Sequence, residues 1–239
     1  ICIPSGITEV EKRAVFDSAD HVDSKETYLI HEPMAAALGI GLDVEEPIGN
    51  MIIDIGGGTT EIAVIALSGI VTDQSIRVAG DEFTNDIIDY MKRKHNILIG
   101  ERTAEQIKIN VGSAIVDLDD APPKYAVNGR DMLTGIPKQV FTNHSEVAEA
   151  IDKSISKIEE AVLKALEDTP PELASDIYRT GIYLTGGGAL LRGLAKRIAA
   201  KTKLAVHVAD DPLRAVVRGT GMALKNSHRY SFLIDRRSI

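Results

Sequence analysis

The clearest periodicity in the chain lies at residues 145–166. Val147, Ile151, Ile155, Ile158, Val162 and Leu166 recur there at spacings of three and four, which predicts a helix with one buried face. Ser145 opens it, and Pro170-Pro171, which cannot continue a helix, ends it. A second amphipathic helix is predicted over residues 8–19, with Val10, Ala14 and Val15 on one side and Glu9, Lys12 and Arg13 on another. Thr8 and Glu11 have the spacing of a capping box, in which a hydroxyl and a carboxylate each satisfy an orphan N–H. Elsewhere apolar residues come in short runs that read as strands: Ile1-Cys2-Ile3, Thr27-Tyr28-Leu29-Ile30, Met51-Ile52-Ile53, Ile62-Ala63-Val64-Ile65-Ala66-Leu67, and residues 71–78, 138–142, 182–185 and 204–208.

Helices are predicted between these strands. One starts at Pro33 and continues through Ala35, Ala36 and Ala37, so Glu32 falls at a strand-to-helix junction. Asp81 is expected to cap a helix carrying Phe83, Ile87, Ile88 and Met91, and Thr103 with Gln106 resembles another capping box. A helix is expected from Ala189 with Leu194 and Ile198 inward, and another after Asp211-Pro212 with Ala215, Val216 and Ala223 inward. Residues 117–135 read as a small strand pair with loops, and the tail from Asn226, basic at Arg236-Arg237, as a solvated end. Strands that pair by hairpins yet alternate with helices predict an α/β fold: mixed sheets flanked by helices, with a ligand at the strand ends.

The candidate chemistry sits on two glycine triplets. Asp54-Ile55-Gly56-Gly57-Gly58-Thr59-Thr60-Glu61 joins two strands; residues without Cβ make the turn and let backbone N–H groups approach an anion. Asp54 adds a carboxylate where a magnesium-bound polyphosphate wants an oxygen partner, and Thr59 and Thr60 add hydroxyls. Gly186-Gly187-Gly188 follows a strand and precedes the helix expected at Ala189, whose free N–H groups would add anion-binding capacity. Neither triplet has the G-x-G-x-x-G spacing, and no Gly-Lys-Ser/Thr follows, so Rossmann and P-loop readings fail.

Composition narrows the classes. A formal charge of −8 without a basic stripe argues against nucleic acid as a partner. One cysteine, Cys2, forms neither an internal disulfide nor a thiolate cage, and an intracellular chain is expected. The six histidines have no metal-ligand spacing, and no run approaches the roughly 18 apolar residues of a membrane span. The chain opens on Ile1 rather than Met and reads as a piece with its N-terminal portion removed.

The strings Glu32-Pro33-Met34-Ala35-Ala36-Ala37, 54–61, Gly100-Glu101-Arg102-Thr103-Ala104-Glu105-Gln106-Ile107-Lys108, Pro170-Pro171-Glu172-Leu173 and Leu184-Thr185-Gly186-Gly187-Gly188-Ala189-Leu190-Leu191 together resemble the actin, sugar-kinase and heat-shock-chaperone ATPase superfamily. Within it they are similar to the bacterial actins of the MreB family. The resemblance implies an actin-like (ribonuclease-H-like) ATPase fold, with ATP/ADP and Mg²⁺ as cofactors. Asp54, Gly56, Gly57, Gly58, Thr59 and Thr60 would form the second phosphate loop, with Asp54 near Mg²⁺ through water. Glu105 and Lys108 would hold the ribose and base edge, and Gly186, Gly187, Gly188, Ala189 and Leu190 would wrap the nucleotide near its base and α-phosphate. Glu32 would position the attacking water, helped by the Thr59 hydroxyl. His31 departs from the family pattern, where a second acid is usual.

The resemblance also implies a division into residues 1–45 (part of domain I), 46–209 (domain II, with 46–80 and 143–209 as IIA and about 81–142 as IIB) and 210–239 (returning C-terminal helix and tail of domain I). The superfamily's first phosphate loop and its membrane-contacting flap are expected to be missing. It implies self-assembly into paired protofilaments, with the helix at 8–19 where they touch, at the inner face of the cell membrane with the cell-wall elongation machinery as partner, maintaining rod shape. The rivals are a small-molecule kinase of the same superfamily and a non-hydrolysing adaptor of actin fold.

Overall fold

The computed structural model describes residues 1–231 and 233–238. β1 (Cys2–Ile3) leads through the Ser5-Gly6 turn into α1 (Glu9–Asp20). The capping box forms: Thr8 Oγ1 accepts from Glu11 N at 3.2 Å, and Glu11 Oε2 accepts from Thr8 N at 2.9 Å. The buried face of α1 differs from the expectation. Val10 is exposed, whereas Phe16 and Ala19 are buried. Phe16, the largest apolar side chain of the helix, packs with Ile3 and Leu29 and sets its rotation.

β2 (Glu26–His31) lies parallel to β1 and runs directly into α2 (Glu32–Gly39), with Pro33 in the first turn. β3 (Asn50–Ile55), β4 (Thr60–Ala66) and β5 (Gly69–Ile76) form an antiparallel meander. Every residue of β3 and β4 is buried, the mark of strands covered on both faces. Alternation divides them: Met51, Ile53, Ile55, Ile62 and Val64 join one core, and Ile52, Ala63 and Ile65 the other.

α3 (Gly80–His95), β6 (Ile97–Leu98), α4 (Glu101–Val111), β7 (Tyr125–Asp131) and β8 (Pro137–Thr142) follow, and the three strands make a small antiparallel sheet. Two expected caps are absent from these helices. Ala79 precedes α3 and Gly100 precedes α4 without a side-chain cap, so Asp81 and Thr103 lie inside the first turns. α5 (His144–Glu167) is the helix of strongest periodicity, but Asn143 rather than Ser145 caps it, its Oδ1 accepting from Glu146 N at 3.0 Å.

α6 (Pro171–Thr180), which the sequence reading did not anticipate, starts at the second proline, whose fixed φ suits a first helical turn. β9 (Ile182–Thr185) ends at the second glycine triplet. Residues Gly187–Leu190 make only a 3₁₀ turn, and α7 (Leu194–Thr202) begins four residues later than Leu190 because Gly193, at φ 74°, interrupts the chain. The expected helix N-terminus at Ala189 therefore does not exist. β10 (Val206–Val208) and a 3₁₀ turn at Pro212–Arg214 lead to α8 (Ala215–Lys225). The tail is not simply solvated: β11 (Asp235–Ser238) pairs antiparallel with β2.

The main sheet has the order β10-β9-β3-β4-β5, parallel from β10 through β3 and antiparallel beyond, and a second sheet has the order β1-β2-β11. This is the mixed α/β architecture expected. α2 and α8 cross in backbone contact. A Cβ on Gly39 would lie 1.8 Å from Ala215 O, and one on Gly219 would lie 1.7 Å from Ala35 O.

Candidate functional site

The hairpin between β3 and β4 closes with Gly56 N donating to Thr59 O at 2.9 Å. Two amides from the start of α3 then grip the turn: Gly80 N donates to Gly56 O at 3.1 Å and Asp81 N to Gly57 O at 2.8 Å. A planar trans peptide points its C=O and following N–H in opposite directions. The N–H groups of Gly57 and Gly58 thus face away from α3. Gly57 and Gly58 are exposed, and a Cβ on Gly58 would meet nothing within 4 Å.

The second triplet packs onto the first because β3 and β9 are parallel neighbours, with Asp54 in register with Thr185. Thr185 Oγ1 donates to Asp54 Oδ1 at 3.0 Å. Gly186, at φ 80°, leaves no room for a side chain: a Cβ would stand 2.3 Å from Ile55 O and 2.6 Å from Asp54 Oδ1. On Gly188 it would stand 2.3 Å from Ile55 Cγ2. Glycine at these two positions is what lets the turns touch.

One cleft of about 550 Å³ opens between them. Of the expected residues, Asp54, Gly56, Gly57, Glu105, Lys108, Gly186, Gly187, Gly188 and Leu190 line it. Gly58 and half-buried Thr59 lie on the same turn but outside that lining. Thr60 and Ala189 do not contribute side chains as expected. The Thr60 hydroxyl is buried and donates to Val78 O at 2.7 Å, and Ala189 is buried beneath its turn. Gly80, Asp81, Phe83, Ile109, Leu191, Pro212, Leu213 and Val216 complete the walls and were not anticipated as site residues; Pro212 is tied in by Gly186 N, which donates to its carbonyl at 3.1 Å.

Lys108 is held by three groups. Its Nζ lies 2.7 Å from Glu105 Oε2 and donates to Gly80 O at 2.7 Å and to Thr84 Oγ1 at 3.0 Å. Through Gly80 this connects α4 to the first glycine turn, one end of the cleft to the other. A second hollow of about 540 Å³, between α1, β2 and α8, is lined largely by apolar residues such as Val15, Ala19, Ile30 and Leu224.

Three carboxylates converge below the cleft. Asp54 and Glu61 are register partners on β3 and β4, and Glu32 starts α2. Burial, then Asp54, then Glu61 push Glu32 up to about 7. Burial pushes Asp54 up to about 6, with Thr185 opposing and Glu61 adding to the rise. Like charges facing across a strand pair are unfavourable, and a cation in the cleft offsets them. The residues therefore fit a cation-bound polyanion: open backbone amides on one side, and the buried Asp54 carboxylate beneath.

Comparison with known proteins agrees with this geometry. A family model described as MreB/Mbl protein matches residues 1–231. The chain is 48% identical over 225 residues to the cell shape-determining protein MreB of Escherichia coli (strain K12), covering 94% of this chain and 64% of that protein. It is 47% identical over 226 residues to the cell shape-determining protein Mbl of Bacillus subtilis (strain 168), covering 95% and 67%. The crystal structure of MreB5 of Spiroplasma citri bound to ADP superposes with a TM-score of 0.92 at 38% identity, over 97% of this chain and 70% of that one; its AMPPNP-bound form gives 0.90. The chain thus spans about two-thirds of the length of the relatives it matches.

Proposed function

This chain belongs to the MreB/Mbl family, and from that premise we propose that it is a bacterial actin that binds ATP between its two glycine turns, hydrolyses it slowly and assembles into filaments that maintain cell shape. The observation that carries the reading is the meeting of the turns on one cleft, with Asp54 bonded to Thr185 beneath them. Support also comes from the 38% identical S. citri protein, whose structures hold ADP and AMPPNP.

In this reading the N–H groups of Gly57 and Gly58, with Thr59, hold the β- and γ-phosphates. Gly186, Gly187, Gly188 and Leu190 pack near the base and α-phosphate, against Leu213. Glu105 faces the ribose and base edge, with Lys108 holding it in place. Thr60 contributes its backbone, since its hydroxyl is engaged by Val78 O. Mg²⁺, when bound, neutralises charge on the phosphate oxygens. Among the described residues no group of three or more His, Cys, Asp or Glu could form a metal cage, so Asp54 would share the ion with phosphate and water oxygens. Glu32 orients the water that attacks the γ-phosphorus, as the bond to the β,γ-bridging oxygen breaks.

The same proposal includes head-to-tail self-association, pairing of protofilaments through α1 (where Val10 is exposed), and work with the cell-wall elongation machinery at the inner membrane face. Among the described residues no helix is long and apolar enough to cross a membrane.

The test is pelleting of the intact protein with and without ATP, with phosphate release followed in the same tube. Nucleotide-dependent sedimentation together with phosphate release is expected. No ATP binding at all, or sedimentation indifferent to nucleotide and without phosphate release, overturns the reading. Transfer of phosphate to an added sugar would identify a kinase instead.

A further inference from the structure

Glu61 is the one charged residue of β4, and its side chain is fully buried. Both carboxylate oxygens are taken. Oε2 accepts from Ser5 N at 3.0 Å and from Ser5 Oγ at 2.6 Å, and Oε1 accepts from Ser75 Oγ at 2.6 Å. None of these donors is a cation. A carboxylate buried on neutral donors alone sits in a costly position, beside a second carboxylate, Asp54, directly across the strand pair.

The donors come from different layers. Ser75 is on β5, in the same sheet as Glu61, but Ser5 follows β1, in the sheet β1-β2-β11. The Ser5-Gly6 turn rests on β5 here, since a Cβ on Gly6 would lie 3.0 Å from Ser75 Cβ. β1 in turn fixes β2 by register, Ile3 opposite His31, and the residue after His31 is Glu32. A short path therefore runs from the strand leaving the first glycine turn, through the Glu61 carboxylate and Ser5, to the helix start that carries Glu32.

We propose that Glu61 is a positioning residue that clamps the Ser5-Gly6 turn to the hairpin of the first glycine turn and so sets where Glu32 stands relative to the γ-phosphate. This rests on the ATPase reading above and deepens it. Glu61 is not among the residues that line the cleft. It holds two sheets at the separation at which Glu32 orients the attacking water, and the clamp lies outside the surfaces that grip the nucleotide.

The experiment compares Glu61→Gln and Ser5→Ala, which removes the 2.6 Å bond across the two sheets, in the intact protein, each in the wild-type and in the Glu32→Ala background. Phosphate release at saturating ATP and the Kd for a fluorescent ATP analogue are measured. In the wild-type background each variant is expected to lower release about tenfold, as small misplacements of reacting groups do, with Kd changed less than about threefold. In the Glu32→Ala background, where no carboxylate remains to be placed, the same changes lower release less than about twofold. Unchanged release in the wild-type background, equal fractional losses in both backgrounds, or a loss of affinity matching the loss of turnover overturns the proposal. If Glu61→Gln does not fold, Ser5→Ala carries the same comparison alone. A wild-type protein that neither binds nor hydrolyses ATP removes the ATPase reading itself. Wild-type hydrolysis with silent clamp variants removes the Glu61 assignment only.

Discussion

Thr185 Oγ1 donates to Asp54 Oδ1 at 3.0 Å, and the two residues are register partners on the parallel strands β9 and β3. This bond ties the end of one glycine turn to the start of the other. It also opposes the rise that burial imposes on the Asp54 carboxyl. Thr185→Val removes the donor without changing shape and leaves one oxygen of a buried acid unsatisfied. The variant is expected to lose about 1–3 kcal/mol of unfolding free energy and to hold Asp54 protonated to higher pH, whereas Thr185→Ser retains most of both. Urea denaturation at several pH values measures the two effects together.

The glycines of the two turns separate by function. At Gly186 and Gly188 a methyl group collides with Ile55, so alanine at either forces β3 and β9 apart and is expected to cost about 2 kcal/mol or more. At Gly58 a methyl group meets open space, so Gly58→Ala is expected to change stability by less than about 1 kcal/mol while weakening ATP binding, because the proposed reading sets the phosphates against that face of the turn. Melting curves and nucleotide titrations on the three variants check the contrast.

Glu32→Ala is expected to slow phosphate release by about 10²-fold or more, the usual scale for a lost proton-accepting group, while ATP binding changes little. Single-turnover phosphate release beside equilibrium nucleotide titration is the measurement. Matching losses of affinity and rate would instead make Glu32 a binding residue.

The same carboxylate makes stability depend on pH in an unusual direction. Glu32 in the folded chain titrates at about 7 and Asp54 at about 6, above their ordinary values of 4.5 and 3.8. Between those limits the folded state binds more protons than the unfolded one, so stability falls as pH rises. The contribution is complete below pH 3.8, and it is lost as pH climbs through about 6 and then about 7. Thermal midpoints in chelator from pH 4.5 to pH 8 are expected to decline by more in wild type than in Glu32→Gln. Mg²⁺ with ATP, which favours the charged forms, is expected to restore part of the loss.

Arg197 on α7 fastens α5. Its Nε lies 2.9 Å from Glu159 Oε1 and its Nη1 2.7 Å from Asp152 Oδ1, and Nη1 also donates to Ala114 O at 3.1 Å. Glu159 is buried. Arg197→Met strands that acid, with an expected cost of about 3–5 kcal/mol, and Arg197→Met with Glu159→Leu is expected to recover much of it. A double-mutant cycle in denaturant reads the coupling.

What the sequence made legible was local. The capping box of Thr8 and Glu11, the long stripe from Val147 to Leu166 and the two glycine turns each depend on a few neighbouring residues, and each formed. Misreadings arose where distant packing decides. The pattern groups Val10 with Val15, but Phe16 packing against Ile3 and Leu29 keeps Val15 at that core and leaves Val10 exposed. Thr60 looked available to a phosphate until β5 brought Val78 O to its hydroxyl. Pro212 and Leu213, over 150 residues from Asp54 in sequence, reach the cleft only through the order of the sheet. Glu61 did leave a signal: an acid inside a run otherwise suited to a doubly covered strand needs partners, and Ser5 and Ser75 supply them.

Gly39 and Gly219 press α2 and α8 together backbone to backbone, so neither helix can slide or roll past the other. α2 begins at Glu32, and α8 begins just past Pro212, whose carbonyl receives Gly186 N. The pair is braced as one body: α8 reaches the cleft wall at Val216, and α2 carries Glu32 below it. On the ATPase reading proposed above, a tilt of α8 at Val216 is passed through this contact to Glu32, so assembly contacts that bend either helix would bear on the acid proposed to orient the water.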